Sequence, residues 1–373
     1  MAAVDEMEGA IITPGRRAYR EVAKGYTPFR DGDVLFAKIT PCMENGKAAI
    51  ANDLVGGLGF GSTEFHVLRP GPRLDRGYLY HFVRTAEFRR RAKARFTGTA
   101  GQQRVPTSFL ETFPLPLPPL AEQRRIVDIL DRAASIRRLR RQAQETARQI
   151  IPALFVKMFG DPATNPMGWP VAVMRSLFRE TPRYGTMVPA TAEPRDFLCL
   201  RVANIQDNSL RLDDRKYVSG DKINTQRHVV EDGDLLLARA IASQDHLGKC
   251  FVAYPSNEKW AFDSHIMMCR FDESLTTPEY ICSFLKSASG RAEFLSHSRS
   301  SAIQYNINSK EFASIKLPLP PIDRQAEFER QVKVVRRVVE REAAAVRHDD
   351  AVAAALSARL FDPGPPNERA DAT

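Results

Sequence analysis

The stretch FPLPLPPLAEQRRIVDILDR at residues 113–132 places four prolines directly before a charged segment of helical character. A closely similar stretch, KLPLPPIDRQAEFERQVKVV, occurs at residues 316–335. Proline lacks an N–H donor and restricts the residue before it, so neither proline run can form a helix or a central strand. Both runs are therefore predicted to be stiff connectors that fix where the following helix begins.

The two stretches belong to a longer internal repeat with an offset of 201 or 202 residues. The turn and apolar run GDVLFAK at 32–38 matches GDLLLAR at 233–239, and GK at 46–47 matches GK at 248–249. Repeated landmarks in one order and register indicate a tandem duplication.

Each copy has the same order of predicted elements. A polar turn opens a buried strand, further short strands follow, and a helix is predicted over 75–94 in the first copy and over 278–297 in the second. A polar loop then leads to the proline connector. This mixture predicts an α/β (α+β) fold with two tandem domains, each followed by a long helix.

The helix after each connector carries apolar residues at alternating three- and four-residue spacing. The stripe runs from Ile126 to Leu154 in the first copy and includes Ile136 and Ile150. In the second copy it covers residues 328–360. A narrow stripe sustained over about four heptads predicts that each helix packs against one partner, as in a coiled coil.

Arg140 and Glu342 interrupt the two stripes near their midpoints. In an antiparallel pair related by the duplication these midpoints face each other, so we predict an Arg140–Glu342 contact that sets the register of the two helices.

These patterns divide the chain into five segments. We predict a first globular domain, a first spacer helix, a second globular domain, a second spacer helix and a disordered tail, at 1–119, 120–158, 159–321, 322–361 and 362–373. Met1 aligns near Val202, and about 40 residues that begin the second copy have no counterpart in the first. The first domain is therefore expected to lack its N-terminal part.

Composition narrows the class of protein. The net charge is +9, and residues 1–160 hold 26 Lys/Arg against 16 Asp/Glu, a surplus that favours a polyanionic partner. The five cysteines form no CxxC pair and the seven histidines form no cluster, so we expect reduced thiols, a cytoplasmic protein and no metal site. No apolar run is long enough to cross a bilayer.

Sequence motifs for catalysis are missing. GGLGFGSTEF at 56–65 is the only glycine-rich candidate for a cofactor turn, and a strand-like segment follows it where a nucleotide site would need a helix. The chain contains no Walker A motif and no GxSxG elbow. The sequence therefore predicts a protein that catalyses nothing by itself.

Five segments together resemble the specificity (S) subunits of type I restriction–modification systems. They are GDVLFAKITPCMENGKAAIA at 32–51, GFGSTEFHVLRP at 59–70, LPLPPLAEQRRIVDILD at 115–131, MFGDPATNPMGWP at 158–170 and LRVANI at 200–205. The resemblance covers nearly the whole chain in the right order. It implies two target-recognition domains and two long antiparallel helices in a prokaryotic, non-catalytic DNA-binding subunit.

The same resemblance implies partners and cofactors. Such a subunit binds double-stranded DNA and assembles with methyltransferase (M) subunits and with restriction/translocase (R) subunits. S-adenosylmethionine, ATP and Mg are expected only in those partner subunits. A self-contained methyltransferase or nuclease, and a coiled-coil scaffold that binds proteins, are the competing hypotheses.

Candidate DNA-binding residues come from equivalent places in the two copies. Amide, guanidinium and phenol groups that suit base edges lie in the loops before the connectors, at Gln102, Gln103, Arg104, Gln304, Tyr305 and Asn306. Cations that suit phosphates follow the buried strands and the paired glycines, at Lys38, Arg239, Lys47 and Lys249. The alternative is that these residues form polar turns and ordinary surface charge. Arg137, Arg138 and Arg141 are candidates for a helix face that holds the methyltransferase subunits.

Overall fold

The computed structural model describes residues 1–6, 9–12, 15–99, 101–206, 210–255, 258–300 and 305–361. The chain divides into two compact units. Unit 1 comprises Met1–Ala143 together with Glu342–Thr373, and unit 2 comprises Gln144–Arg341. The tail predicted at 362–373 lies outside the described residues.

Unit 1 is a mixed unit of short strands and helices. Its strands are β1 (Val4–Asp5), β2 (Ala10–Ile11), β3 (Thr27–Arg30), β4 (Val34–Ala37), β5 (Ala48–Ile50), β6 (Leu58–Gly61) and β7 (Phe65–Leu68). Its helices are α1 (Tyr19–Val22), α2 (Arg76–Val83), α3 (Ala86–Lys93), α4 (Thr107–Thr112) and the beginning of α5 (Leu120–Phe159).

The centre of unit 1 is β4, which lies between β5 and β7 in an antiparallel sheet. All four residues of β4 are buried, as the apolar run predicts. Gly32 makes the preceding turn with a φ of 89°, a conformation that side chains disfavour. The Asp33 carboxylate closes the turn by accepting a hydrogen bond from the Arg30 N–H at 2.7 Å.

Unit 2 repeats this plan with more strands. Its strands are β8 (Val171–Val173), β9 (Phe178–Tyr184), β10 (Phe197–Leu200), β11 (Tyr217–Val218), β12 (Leu235–Ala238), β13 (Ala240–Ile241), β14 (Cys250–Val252), β15 (Trp260–Phe262), β16 (Ile266–Phe271), β17 (Arg299–Ser300), β18 (Tyr305–Asn306) and β19 (Lys316–Pro318). Its helices are α6 (Thr225–His228), α7 (Pro278–Lys286), α8 (Ala288–Ser296), α9 (Ser309–Ala313) and the beginning of α10 (Ile322–Leu360).

The main sheet of unit 2 has the order β14-β12-β16-β9, with antiparallel pairing throughout. β12 occupies the place of β4: its four residues are buried, and Gly233 precedes it with a φ of 88°. A second small sheet pairs β10 with β15 in parallel and with β11 antiparallel. The α/β (α+β) fold with two tandem domains is confirmed.

The prediction of one continuous helix over 75–94, and of another over 278–297, is wrong. Two helices stand in each place, and the break falls at Thr85 in unit 1 and at Ser287 in unit 2. The Thr85 hydroxyl accepts a hydrogen bond from Phe88 N–H, and the Ser287 hydroxyl accepts one from Gly290 N–H. Each hydroxyl therefore caps a new helix and turns the chain.

The predicted antiparallel pairing of the long helices is confirmed within each unit. In unit 1, Phe361 follows the end of α10 and packs on Tyr78 at 5.0 Å between ring centroids, in the same core as Ile126 from the beginning of α5. In unit 2, Phe155 near the end of α5 packs on Phe328 near the beginning of α10, at 5.9 Å.

Part of the predicted apolar stripe faces solvent. Ile126 and Ala147 are buried as expected, but Ile136 is 50% exposed and Ile150 is 46% exposed. Ala147 lies three whole heptads after Ile126, whereas Ile136 and Ile150 belong to the second row of the stripe, three residues further along in their heptads, so only one row of the stripe is buried. The prediction that they line the helix contact is wrong.

A buried carboxyl links α7 to α10 in unit 2. Glu279 is fully buried and accepts a hydrogen bond from Arg336, with Nη2 2.7 Å from Oε2. Burial raises the pKa of Glu279 from 4.5 to about 7, because desolvation of the carboxylate outweighs its attraction to Arg336.

We therefore expect a pH-dependent stability that Glu279→Gln removes. Between pH 4.5 and about 7 the folded unit keeps a proton that the unfolded chain has released. This contribution is fully present below pH 4.5 and is lost as the pH rises through about 7, so wild type should lose up to about 3 kcal/mol of unfolding free energy relative to the variant. Urea unfolding followed by tryptophan fluorescence measures it, because Trp169 and Trp260 both lie in unit 2. A difference that does not change with pH would mean that Arg336 keeps the folded carboxylate ionised.

Candidate nucleic-acid interface

In unit 1 a small backbone framework holds the loops at the end of β4. The Lys38 N–H donates to the Glu64 carbonyl at 3.0 Å, and the Lys38 carbonyl accepts from the Val105 N–H at 2.9 Å. Arg104 pairs with Thr97 through both backbone groups, at 2.9 and 3.0 Å. These bonds bring three charged side chains, those of Lys38, Glu64 and Arg104, to one place.

Unit 2 repeats this framework at the end of β12. The Arg239 N–H donates to the His265 carbonyl at 2.9 Å, and the Arg239 carbonyl accepts from the Ile307 N–H at 2.9 Å. Asn306 pairs with Arg299 in the antiparallel ladder of β17 and β18. The same connections therefore recur 201 or 202 residues later, with different side chains on them.

Arg104 is held by two acceptors. Its Nε and Nη2 donate to the two carboxylate oxygens of Glu64, each at 2.9 Å, and its Nη1 donates to the Gln102 carbonyl at 2.8 Å. This hydrogen bonding lowers the pKa of Glu64, so the carboxylate stays ionised at neutral pH. Gln102 is exposed, and the carbonyl of Gln103 accepts from the Thr40 N–H at 3.0 Å.

In unit 2 the cation at the position equivalent to Lys38 is Arg239, and it packs against an aromatic ring. The Arg239 guanidinium lies over the ring of Tyr184 at 4.3 Å, and its Nη1 donates to the Ser264 carbonyl at 2.8 Å. Tyr305 and Asn306 form β18, which lies between β13 and β17. Gln304 lies outside the described residues.

The two paired glycines make equivalent turns, with φ values of 76° at Gly46 and 78° at Gly248. The lysines that follow have different surroundings. Lys47 lies 3.8 Å from a carboxylate oxygen of Glu6 and its side chain is 15% exposed. Lys249 lines an open cavity of about 500 Å³ in unit 2.

That cavity brings polar side chains together beside β13. Several of them can donate or accept hydrogen bonds, namely Arg201, Gln206, His246, Lys249, Asp263 and His265. Burial raises the pKa of Asp263, although its hydrogen bond from the His265 N–H opposes that shift. The cavity adjoins the framework of unit 2 through His265.

The basic segment at 84–95 is largely occupied by contacts inside unit 1. Arg89 donates to the Glu44 carbonyl, and Lys93 pairs with the Glu44 carboxylate. Arg90 and Arg91 both pair with Glu87, at 2.8 and 2.6 Å. Three of the six basic side chains therefore share two carboxylates, those of Glu87 and Glu44, and the segment keeps a net positive charge.

The structure brings Arg140 and Glu342 together in unit 1, with Arg140 Nη1 3.9 Å from Glu342 Oε2. A shorter contact joins Arg140 Nε to a carboxylate oxygen of Asp349 at 2.8 Å. Arg140 therefore bridges two acidic side chains that lie seven residues, about two turns, apart on α10.

Arg137 and Arg141 do not lie on a face outside the helix pair, contrary to expectation. Both approach the same carboxylate oxygen of Asp350 on α10, at 3.5 and 3.0 Å. Residues 137 and 141 are one helical turn apart, so one acidic residue on the partner helix can reach both.

Two buried glutamines were missed by the sequence predictions. Gln123 stands four residues after the last proline of the first connector and is 0% exposed. Its carboxamide oxygen accepts from the Asp75 N–H at 2.8 Å, and its amide donates to the carbonyls of Arg73 and Pro118 at 2.9 and 2.8 Å. It ties the connector to the loop before α2.

Gln325 makes the same contacts in unit 2 and is also 0% exposed. Its oxygen accepts from Thr276 Oγ1 and the Thr277 N–H, and its amide donates to the carbonyls of Leu275 and Pro320. The recurrence of glutamine at the same distance from both connectors was the signal that could have revealed it.

Within the described ranges, no group of three or more His, Cys, Asp or Glu side chains is arranged to hold a metal ion. None of the helices in those ranges is both long enough and apolar enough to cross a membrane.

Residues 15–146 match the family described as the type I restriction modification DNA specificity domain. The chain is 48% identical over 112 residues to the EcoEI specificity subunit of Escherichia coli, a match that covers 30% of this chain and 19% of that protein. It is 24% identical over 279 residues to the EcoKI specificity subunit of Escherichia coli strain K12, covering 72% of this chain and 60% of that protein. The chain thus spans about a fifth and about three fifths of these two relatives.

One solved structure comes from work on the complex assembly and conformational transition of the type I R-M system. Its fold matches 96% of this chain and 89% of that chain, with a TM-score of 0.58 and 20% identity. The resemblance that the sequence motifs predicted is confirmed by the family match and the relatives.

Proposed function

Because the chain resembles the type I restriction–modification specificity subunits in sequence and fold, we propose that it selects DNA for such a complex. In this proposal it is a non-catalytic subunit that reads a bipartite, asymmetric target, one half-site with each recognition domain. Adenine methylation or cleavage is then carried out by partner subunits. The two long helices act as the spacer between the domains.

The observation that carries the proposal is the duplicated framework with unlike side chains. A repeated backbone arrangement supplies two reading places of the same kind, at Lys38 and at Arg239. Arg104 in one and Asn306 in the other give each place its own hydrogen-bonding groups. Two similar readers with different side chains suit a target whose halves differ.

Charge supports a polyanionic partner. The net charge of +9 favours contact with phosphates, which releases counterions from DNA. Lys38, Lys47, Arg239 and Lys249 are our candidates for such positioning contacts, and Gln102, Gln103, Gln304 and Tyr305 are candidates near the bases. Lys47 is the weakest of them because it already pairs with Glu6.

The proposed protein partners are M subunits and, for cleavage, R subunits. In unit 1, Ile136 and Leu139 on α5 are 50% and 60% exposed, and in unit 2, Val334 and Val338 on α10 are 54% and 48% exposed. Apolar side chains exposed along helices favour contact with another protein. S-adenosylmethionine, ATP and Mg belong to the partners in this proposal.

The test is to assemble the chain with its M subunit and to sequence the methylated sites on random DNA. We expect one motif of two short specified halves separated by unspecified base pairs. Exchanging residues 161–321 for those of another specificity subunit should change one half and leave the other intact. Uniform methylation, or no methylation by a demonstrably folded complex, would contradict the proposal.

A further inference from the structure

We propose that one equivalent position in each unit reads a single base edge, Arg104 a guanine in one half-site and Asn306 an adenine in the other. This inference rests on the proposed function and names residues through which the two units would select different half-sites. Arg104 and Asn306 lie 202 residues apart and have the same backbone partners in their respective frameworks.

The contacts of Arg104 leave part of its guanidinium unused. The group has five N–H donors, of which one on Nε and one on Nη2 serve Glu64, and one on Nη1 serves the Gln102 carbonyl. Two donors therefore remain, one on each terminal nitrogen, and the described residues supply no acceptor for them. The Arg104 side chain is 37% exposed, so these donors can reach a ligand.

Two N–H donors, one on each terminal nitrogen of a planar guanidinium, can match two acceptors on one base edge. In the major groove only guanine presents such a pair, at N7 and O6, while adenine presents an acceptor beside a donor. Glu64 and Gln102 fix the plane of the guanidinium before DNA arrives. The preorganised fork of Arg104 therefore favours guanine.

Asn306 differs from Arg104 because its side chain offers both a hydrogen-bond donor and an acceptor. Its backbone pairs with Ala240 and with Arg299, and its side chain is half-buried. Among the described residues, none forms a hydrogen bond with the Asn306 carboxamide. A carboxamide offers one acceptor beside one donor, which matches N6 and N7 of adenine.

The residue beside the proposed base-reading side chain also differs between the two units. Glu64, which braces Arg104, is replaced in unit 2 by His265, whose backbone carbonyl holds Arg239 in the same way. An asparagine needs no carboxylate to neutralise it, so histidine is compatible there. Glu64 is therefore a positioning residue for Arg104.

The decisive experiment converts one reader into the other. The double variant Glu64→His with Arg104→Asn gives unit 1 the pair of side chains that unit 2 already carries on the same backbone. In the complex with the M subunit, methylation sequencing should show guanine replaced by adenine at one position of one half-site, with a preference of roughly tenfold or more. The other half-site should stay as in wild type.

The reverse variant, His265→Glu with Asn306→Arg, should change an adenine to guanine in the half-site read by unit 2. That half-site is the one that changes when residues 161–321 are exchanged.

The single variant Glu64→Gln tests the positioning role of Glu64. It should weaken the preference for guanine at the base read by Arg104 without creating a preference for adenine. A purely structural role for Glu64 would lower the melting temperature and leave the motif unchanged.

The control is the same pair of substitutions, Glu to His and Arg to Asn, made at a glutamate and an arginine outside the framework. Glu87→His with Arg90→Asn removes an exposed ion pair on α3 and should leave the whole motif unchanged. The inference is wrong, while the proposed function stands, if wild type yields a two-part motif and the two framework double variants, at 64/104 and at 265/306, fold but keep the wild-type motif. If wild type yields no two-part motif, the proposed function itself fails.

Discussion

Replacing Arg270 with alanine is expected to lower the unfolding free energy of unit 2 by about 3–5 kcal/mol. The Arg270 side chain is 10% exposed, and its Nε and Nη2 donate to the two carboxylate oxygens of Asp234 at 2.7 and 3.1 Å. Asp234 is 2% exposed, and burial raises its pKa. Alanine would leave this carboxylate buried without its cation, next to Glu180, which also pairs with Arg270.

Urea unfolding followed by tryptophan fluorescence measures this effect in unit 2. The control is Arg195→Ala, which removes an exposed pair with Glu193 and should cost less than about 1 kcal/mol. In unit 1 the equivalent pair joins Asp33 to Arg69, whose side chain is 57% exposed, and hydrogen bonding there lowers the pKa of Asp33. An Arg270→Ala cost no larger than that of Arg195→Ala would show that water reaches Asp234 and replaces the lost cation.

Gln325→Ala should destabilise unit 2 by about 3 kcal/mol, because several buried groups lose their partners at once. The Thr277 N–H and the carbonyl of Pro320 are held by this one side chain. Their release should also free the N-terminus of α10 from the loop before α7. Hydrogen exchange of peptides covering 275–286 and 317–330 locates the loss, and urea unfolding gives its size.

Gln331→Ala is the matched control, since this glutamine lies on the exposed face of α10 in the same unit. It should change the unfolding free energy by no more than about 0.5 kcal/mol. Equal effects of the two variants would mean that the Gln325 contacts contribute little to stability.

Repetition made the fold predictable from the sequence. The matched GDVLFAK and GDLLLAR runs located the central strands β4 and β12, and the two connectors located the beginnings of α5 and α10 within a few residues. Prediction failed where a single side chain decides the local geometry. The hydroxyls of Thr85 and Ser287 cap new helices inside segments whose apolar pattern continues without interruption.

The candidate interface was only partly predictable for a similar reason. Arg104 and Asn306 could be chosen because they occupy equivalent places in the two copies, before the proline connectors. Glu64 could not, because it lies 40 residues before Arg104 and the bond between them depends on the fold. Arg137 and Arg141 were assigned to the wrong face because their partner Asp350 is more than 200 residues away in the chain.

Unit 1 is discontinuous in the chain, and this has a consequence for biosynthesis. Its core includes Phe361, which packs on Tyr78 and Phe82 at 5.0 and 5.6 Å. A ribosome therefore releases most of unit 1 long before the residue that fills its core, whereas all of unit 2 emerges as one uninterrupted segment. The unit whose synthesis begins first is completed only after all of unit 2 has been made, so its apolar surface stays exposed in the nascent chain until Phe361 emerges.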